Sequence, residues 1–412
     1  MKRTVIMIVI ALLSPLVLMA QVIYVVNSQS RTLSRIDIEE NTVQNGFAHL
    51  GAVPNKVILS DEYLFVVNSG DNAIQKISAQ TGSTVANHLV AVGCNPWDAI
   101  LHDGYLYISG LFSFQVYKMN PETGQVVGSV SVGVAPEAMA VANGKLYVCN
   151  AGNYAQNYAG SSVSVIDLDS FSLIQSIPTV ANPQFIQLHD GKLHVSCTGN
   201  WTDIAGAICV IDTQSDEIVY TIPIGGTPGN IWISSDGIAY VADNSGYSLY
   251  SYDAEDYSLL NPASDPLPFA ASDLTGDANL IALLNPNWGD NAIVQVLNLD
   301  FNNLRNYSTG LMPTDIKLQP GSSSNADPAQ IQIPAIAVYP SPLRSGHSLN
   351  VKSLDNQRGE FKLFNLRGQM LHSVQLQPAE QISLDIKLNN GIYFYRFQSG
   401  TASTTGKLTV IR

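Results

Sequence analysis

The amino-acid sequence predicts an all-β protein: a seven-bladed β-propeller followed by a small immunoglobulin-like β-sandwich. Three observations predict this fold class. A segment of about 43 residues recurs along most of the chain, each copy holds four short apolar strands, and both pattern and charge change after residue 334. A hydrophobic content of 46% excludes a disordered chain, and 31 Gly and 20 Pro suit tight turns between short strands.

The first twenty residues resemble an export signal. Lys2 and Arg3 precede an apolar run that ends at Ala20, which is typical of a secretory signal peptide cleaved before Gln21. A membrane anchor is the alternative, but the run is shorter than the roughly 20 residues of a span and contains Pro15. We therefore expect export, with residues 1–20 removed and no transmembrane segment in the mature chain.

A recurring proline opens each copy of the repeat, and in five copies a Gly stands three positions before it. Each of the first six prolines is followed by a first strand, a turn and a second apolar strand, and further strands complete the copy. Four strands in about 43 residues predict one propeller blade. The prolines are Pro54, Pro96, Pro136, Pro183, Pro228, Pro268 and Pro313.

The two ends of the repeat predict how the ring closes. Residues 22–50 supply the second, third and fourth strands of a blade, whereas residues 313–318 supply only a first strand. Together they complete blade one, from which the others are numbered in chain order, and the ring then has no free edge. The predicted domains are the propeller at 21–318, a Pro- and Ser-rich linker at 319–334 and the C-terminal domain at 335–412.

Charge separates the two predicted modules. Residues 335–412 hold 9 Lys and Arg against 4 Asp and Glu, a net charge of +5. Residues 21–334 hold 9 against 29, a net charge of −20. A body of this charge repels phosphate backbones, which excludes nucleic acid as a partner.

The propeller repeat resembles the YVTN family, in which a G-x-x-P turn precedes one strand and a Y-V-x-N strand follows. Residues 24–27 (YVVN), 65–68 (FVVN) and 147–150 (YVCN) carry the match, and the resemblance covers residues 21–318. The Gly-His and Trp-Asp signature of WD40 repeats is missing. The resemblance implies the fold and leaves the activity open, because propellers carry many unrelated functions.

The C-terminal 78 residues resemble the type A sorting domain of the type IX secretion system. Ser341, where the family usually has Asn, is a departure in a turn. The resemblance implies Sec export, transport across the outer membrane by the type IX machinery through residues 335–412, and a secreted or cell-surface protein. An ordinary accessory sandwich is the alternative. The residues that carry the match include Tyr339, Pro340, Pro342, Gly368, Gly391, Tyr393 and Lys407.

Aromatic residues cluster in loops that we expect on one face of the propeller, around the channel entrance. Exposed rings with Asn and Gln neighbours suit a glycan or a peptide, through stacking and side-chain hydrogen bonds. Local packing of the blade ends is the alternative. The candidate ligand-binding residues are Trp97, Phe112, Tyr154, Tyr158, Trp201, Tyr247 and Trp288.

No catalytic constellation, cofactor motif or metal-ligand spacing is evident in the sequence. Polar residues on the first strands should surround the channel entrance, where their oxygens could hold Ca²⁺. We favour the alternative that they are solvated channel-lining side chains. They are Lys56, Asp98, Glu137, Asn230 and Asp315.

The cysteines lack the C-x-x-C spacing of a zinc or redox site. Cys197 and Cys209 lie across a predicted hairpin. In a regular hairpin Cys209 faces Val195 and Cys197 is its diagonal neighbour. A Cys197–Cys209 disulfide and free buried thiols both stay open as alternatives.

Together these features predict a monomeric, non-catalytic binding module on the cell surface or secreted. A secreted hydrolase or lactonase-like enzyme would instead gather titratable groups with shifted pKa values at the channel mouth. A structural surface-layer component would show flat apolar contacts around the rim. A binder predicts an aromatic, mostly uncharged face.

Overall fold

The computed structural model describes residues 21–287, 289–319, 336–339, 343–344, 348–353, 358–365, 369–378, 380–399 and 402–411. These residues form 36 β-strands, two 3₁₀ turns at Ser69–Asp71 and Tyr154–Gln156, and no α-helix. They fall into two compact units, the propeller and the C-terminal domain. The predicted signal peptide and, apart from Gln319, the predicted linker lie outside the described residues.

Seven four-stranded antiparallel sheets form the blades of the propeller, as predicted. From the first, innermost strand outward, blade one comprises Pro313–Gln319, Val22–Asn27, Thr32–Asp37 and Thr42–His49; blade two comprises Pro54–Leu59, Tyr63–Asn68, Ala73–Ser78 and Thr84–Leu89; blade three comprises Pro96–His102, Tyr105–Gly110, Gln115–Met119 and Val126–Ser131; and blade four comprises Pro136–Ala142, Lys145–Asn150, Ser162–Asp167 and Ser172–Pro178. Blade five comprises Pro183–His189, Lys192–Cys197, Ala207–Asp212 and Glu217–Ile222; blade six comprises Pro228–Ile233, Ile238–Asp243, Leu249–Asp253 and Leu259–Asn261; and blade seven comprises Asp273–Gly276, Leu280–Asn285, Asn291–Asn298 and Asn303–Leu311.

Blade one closes the ring from both ends of the propeller sequence. Pro313–Gln319 pairs antiparallel with Val22–Asn27, with Ile316 opposite Val25, which confirms the predicted closure. The same strand contacts the first strands of blades seven and two, so the innermost strands form a continuous ring. In every blade the first strand is the innermost member of its sheet, so these strands line the channel.

Apolar side chains between neighbouring blades form the core. Tyr24, Val26, Leu33, Leu64 and Val66 belong to one buried cluster between blades one and two. Second strands such as Val22–Asn27 are buried along their whole length, because both of their faces pack on protein. This explains why the second strands are the most continuously apolar segments of the repeat.

The Gly of the G-x-x-P turn packs against the Asn that ends a second strand. A Cβ atom added to Gly310 would lie 2.6 Å from the Asn27 side chain, and one added to Gly133 would lie 2.6 Å from that of Asn150. The Gly310 amide donates to Asn27 Oδ1 at 2.9 Å, and Asn27 Nδ2 donates to Ser34 Oγ at 2.9 Å. The two motifs of the repeat therefore meet in space.

Six first strands begin at the predicted prolines and carry an irregularity in their pairing directly after them. Such a bulge adds a residue and turns side chains that regular alternation would point elsewhere. Blade seven differs, because its first strand begins at Asp273 and Pro268 does not open it. The segment before it is attached to blade six instead, where Leu267 bridges Leu249 on the third strand.

The described part of the C-terminal domain forms two sheets around one apolar core, as predicted for a small sandwich. Leu349, Val351, Phe361, Phe397 and Leu408 are among its buried residues. Leu343–Arg344 pairs in parallel with Ala402–Ile411. The three-stranded sheet comprises Ile336–Tyr339, Leu349–Ser353 and Gln381–Leu384; the five-stranded sheet comprises Leu343–Arg344, Ala402–Ile411, Gly391–Ser399, Gly359–Phe364 and Met370–Leu376.

The cysteines of the propeller are unbridged and buried. Cys209 faces Val195 and Cys197 faces Ala207, as a regular hairpin requires. The Cys197 and Cys209 Sγ atoms lie 3.7 Å apart. Of the two alternatives, the structure therefore contains free buried thiols and not the Cys197–Cys209 disulfide.

Candidate ligand-binding site

A cavity of about 230 Å³ opens where the first strands begin, and we call it the mouth pocket. Five of its lining residues directly follow the proline of their blade. The bulge after the proline turns these side chains toward the channel. They are Asn55, Trp97, Glu137, Gln184 and Thr314.

Lys56 and Phe185, each two positions after the proline of its blade, form the floor of the mouth pocket. Lys56 Nζ lies 3.2 Å from Asp315 Oδ1 and 5.3 Å from the centre of the Phe185 ring. Lys56, Ala138 and Phe185 also line a second cavity of about 470 Å³. These side chains therefore separate the mouth pocket from the rest of the channel.

The charged residues of the channel are paired and largely buried, whereas the sequence interpretation made them solvated. Asp315 is fully buried. Burial alone would lower the pKa of Lys56, but Asp315, Asp273 and Asp98 together raise it above its ordinary value. Burial also raises the pKa of Asp98 and of Asp273. These side chains are buried because the bulges turn them inward among neighbouring strands.

A lysine ammonium lies among these carboxylates, in the region where the sequence alternative placed Ca²⁺. Asn230 donates to Asp273 Oδ1 at 2.7 Å, so this amide is also paired. Among the described residues, no three His, Cys, Asp or Glu side chains form a group that could hold a metal ion.

Glu137 is a buried acid of the mouth pocket. Glu137 is only 6% exposed, and Gln184 Nε2 donates to its Oε1 at 3.3 Å. Burial raises the pKa of Glu137 to about 8, although hydrogen bonds from Gln184 and Trp97 and the charge of Lys56 act in the opposite direction. At neutral pH the carboxyl is therefore protonated and can donate a hydrogen bond.

A hydrogen-bond network from two blades fixes the Gln184 amide. Thr198 Oγ1 and Asn244 Nδ2 donate to Gln184 Oε1 at 3.0 and 2.8 Å. With its oxygen occupied twice, Gln184 directs its Nε2 group toward Glu137. The wall of the mouth pocket is thus set by side chains of blades four, five and six.

Aromatic loops of blades four and five lie together. The ring centroids of Tyr154 and Tyr158 are 5.7 Å apart, and those of Tyr158 and Trp201 are 6.0 Å apart. Tyr154 is 77% exposed and Trp201 50%, whereas Tyr158 is only 8% exposed. Tyr158 therefore supports the two exposed rings, which we call the aromatic pair.

The loops that carry the aromatic pair are fastened to each other. Asn200 Nδ2 donates to Asn157 Oδ1 at 2.7 Å, which joins the loops of blades five and four. Tyr158 has φ 60° and Trp201 has φ 58°, in the left-handed region that large side chains rarely adopt. Such backbone strain persists only where surrounding contacts hold it, and it often marks a binding site.

The other predicted aromatic residues have separate positions. Trp97 lines the mouth pocket. Phe112 and Tyr247 are exposed in the turns between the second and third strands of blades three and six. Trp288 lies outside the described residues.

The predicted sorting residues fall in three groups. Gly391 begins a strand, and Tyr393 in the same strand donates its hydroxyl to the Asn389 carbonyl at 2.8 Å. Tyr339 and Lys407 lie in strands of the two sheets. Pro340, Pro342 and Gly368 lie outside the described residues.

Residues 337–411 match the family described as the secretion system C-terminal sorting domain. This match confirms the predicted sorting domain, which directs type IX export to the cell surface or the extracellular space. No curated protein matches the chain significantly. None of the helices in the described residues is long and apolar enough to cross a membrane.

Solved structures resemble the propeller. Dihydro-heme d1 dehydrogenase NirN in complex with DHE is 14% identical with a TM-score of 0.52, over 72% of this chain and 74% of that chain. The computationally designed Ika8 protein is 13% identical with a TM-score of 0.48, over 85% and 95%. Kuenenia stuttgartiensis hydrazine synthase is 20% identical with a TM-score of 0.42, over 67% and 81%. The likeness to NirN shows a shared fold and carries no statement about activity.

Proposed function

We propose that this protein is a non-catalytic binding module that presents the aromatic pair and the mouth pocket to a glycan or a peptide outside the cell. The sorting domain supplies the location, since it directs export by the type IX system. The aromatic pair carries the proposal: two large rings stay exposed on loops that are fastened together. Leaving such rings in water is costly unless a ligand covers them.

The charges that line the mouth pocket favour a neutral ligand over an ion. Lys56 is neutralised by Asp315, and Glu137 retains its proton at neutral pH. Apart from Asp273, whose pKa is also raised by burial, the remaining polar groups of the mouth pocket are amides, hydroxyls and the Trp97 indole. Neutral hydrogen-bonding groups beside aromatic rings suit sugars and peptide backbones.

A secreted hydrolase or lactonase-like enzyme is the second candidate, and Glu137 is the observation that favours it. An acid that is protonated at neutral pH inside a cavity could protonate a leaving group. The purified protein should then hydrolyse an ester, lactone or glycoside, and the variant Glu137→Gln should abolish that turnover. Turnover that Glu137→Gln leaves intact would arise from another site.

Binding is tested with the purified protein on an array of neutral glycans and peptides. The variant Tyr154→Ala/Trp201→Ala should weaken binding about tenfold or more, because aromatic contacts contribute about 0.5–1.5 kcal/mol each and 1.4 kcal/mol is tenfold. Tyr220→Ala is the matched control, since Tyr220 is a half-exposed ring on the fourth strand of blade five. Equal losses in both variants, or no binder on the array, would contradict the proposal.

A further inference from the structure

We propose that the mouth pocket is a subsite for one neutral sugar residue at the end of a glycan. This inference rests on the proposed function and narrows its ligand class. The aromatic pair would then contact a neighbouring part of the same glycan. The sequence interpretation placed only Trp97 of this pocket among the ligand-binding residues.

The size and shape of the pocket limit its occupant. Its volume is about 230 Å³, below the roughly 300–1,000 Å³ of pockets for drug-sized ligands. Lys56 Nζ lies over the Phe185 ring, 5.3 Å from its centre, and both side chains also line the channel cavity beyond. A terminal group can stop at this contact, whereas the middle of a chain would have to continue past it.

The chemistry of the walls favours a sugar. A pyranose has hydroxyls that both donate and accept and a face of C–H groups that packs on an aromatic ring. The pocket offers the Trp97 indole together with the amides of Asn55 and Asn244 and the hydroxyl of Thr314. Glu137 adds a carboxyl that is only 6% exposed and held by Gln184.

Charge argues for a neutral occupant. An anionic sugar would meet residues 21–334 with their net charge of −20 and a Lys56 that Asp315 already neutralises. A peptide terminus would bring a charge into a pocket where burial already disfavours ionised Glu137 and Asp273. A neutral sugar has neither cost.

The two parts of the proposed site meet through one loop of blade five. Thr198, three residues before Trp201, donates to Gln184 Oε1 in the mouth pocket at 3.0 Å. The loop that carries Trp201 therefore begins at the wall of the pocket, and we propose that one glycan extends from the pocket along this loop.

Saturation-transfer NMR on the intact protein tests the pocket directly, with the methyl glycosides of glucose, galactose, mannose, xylose and N-acetylglucosamine as probes. We expect transfer to at least one of them. Trp97→Ala and Asn244→Ala should each reduce it at least fivefold. Tyr220→Ala should retain it, because Tyr220 lies on the fourth strand of blade five, outside the pocket.

The outcomes separate this inference from the proposed function. If no methyl glycoside binds, or if Trp97→Ala and Asn244→Ala both bind as the parent does, the sugar subsite is wrong. Glycan-array binding that depends on Tyr154 and Trp201 would still support the proposed function in that case. Asn244 lies between the strands Ile238–Asp243 and Leu249–Asp253 and is partly exposed, so Asn244→Ala keeps the test decisive if Trp97→Ala fails to fold.

Discussion

Asp315 Oδ2 accepts a hydrogen bond from the Val57 amide at 2.9 Å, although 258 positions separate the two residues in the chain. Asp315 Oδ1 also lies 3.2 Å from Lys56 Nζ. One blade earlier, Asp273 Oδ2 accepts from the Ile316 amide at 3.3 Å. Buried carboxylates therefore join blades seven, one and two at the place where the ring closes.

Breaking the Lys56–Asp315 pair should destabilise the propeller. Asp315→Asn keeps an acceptor for the Val57 amide but removes the partner of a buried ammonium, which typically costs about 3–5 kcal/mol. Asp273 and Asp98 still favour the charged lysine, so we expect the lower end of this range. Urea denaturation measures the change.

The double variant Lys56→Met/Asp315→Asn is the control for that experiment. Replacing both charges is often neutral, so it should recover most of the lost stability. A double variant no more stable than Asp315→Asn would show that the ion pair is not the cause.

Glu137 should make the propeller less stable as pH rises. Its pKa is about 8 in the folded chain against an ordinary 4.5, so between these values the unfolded chain loses the proton and the folded chain keeps it. Stability therefore falls through this window, by up to about 1.4 kcal/mol per pH unit. The charges of Lys56 and Asp98 act on the same carboxyl in opposite directions, Lys56 lowering its pKa and Asp98 raising it.

Glu137→Gln should remove that part of the pH dependence and stabilise the protein at pH 8 by roughly 4 kcal/mol. Thermal unfolding between pH 5 and pH 8 tests this expectation. Glu40→Gln, at an exposed turn, is the matched control and should follow the parent. A Glu137→Gln curve parallel to the parent's would contradict the buried, protonated carboxyl.

Gly133→Ala should destabilise blade four. The new methyl group would lie 2.6 Å from the Asn150 side chain, and such overpacking typically costs about 1–3 kcal/mol. Gly46→Ala is the control, because a Cβ atom there has no neighbour within 4 Å. Chemical denaturation of both variants should show a loss for Gly133→Ala alone.

Deleting residues 335–412 should leave a folded propeller in the periplasm. The propeller has its own closed ring of strands and cores, and the sorting domain directs type IX export. Cell fractionation and limited proteolysis of the truncated protein check both points. Surface display of the truncated chain, or its rapid degradation, would show that one of these roles is wrong.

The repeat made most of the fold predictable, because its signals are local. The Pro that opens a strand, the Gly before it and alternating apolar residues recur within each copy, so they predict blades and even the closure at Val22–Asn27. Pro268 was the exception, since pairing of Leu267 with blade six overrides the motif.

The mouth pocket was harder to predict because it depends on bulges and on contacts between blades. Regular alternation would place only one of Glu137 and Ala138 toward the channel, whereas both line it. Gln184 of blade five reaches Glu137, Asn244 of blade six reaches Gln184, and no spacing in the sequence shows this. The residue after each proline is the signal that could have found the pocket.

Ring closure by Pro313–Gln319 also acts as a check on chain completeness. This strand is the last of the propeller to be synthesised, and the sorting domain lies C-terminal to it. Any chain truncated before residue 313 lacks both the strand that closes blade one and the domain that directs export. Incomplete rings have exposed strand edges and also lack the export domain. They would therefore not reach the cell surface, and no separate quality-control step would be needed.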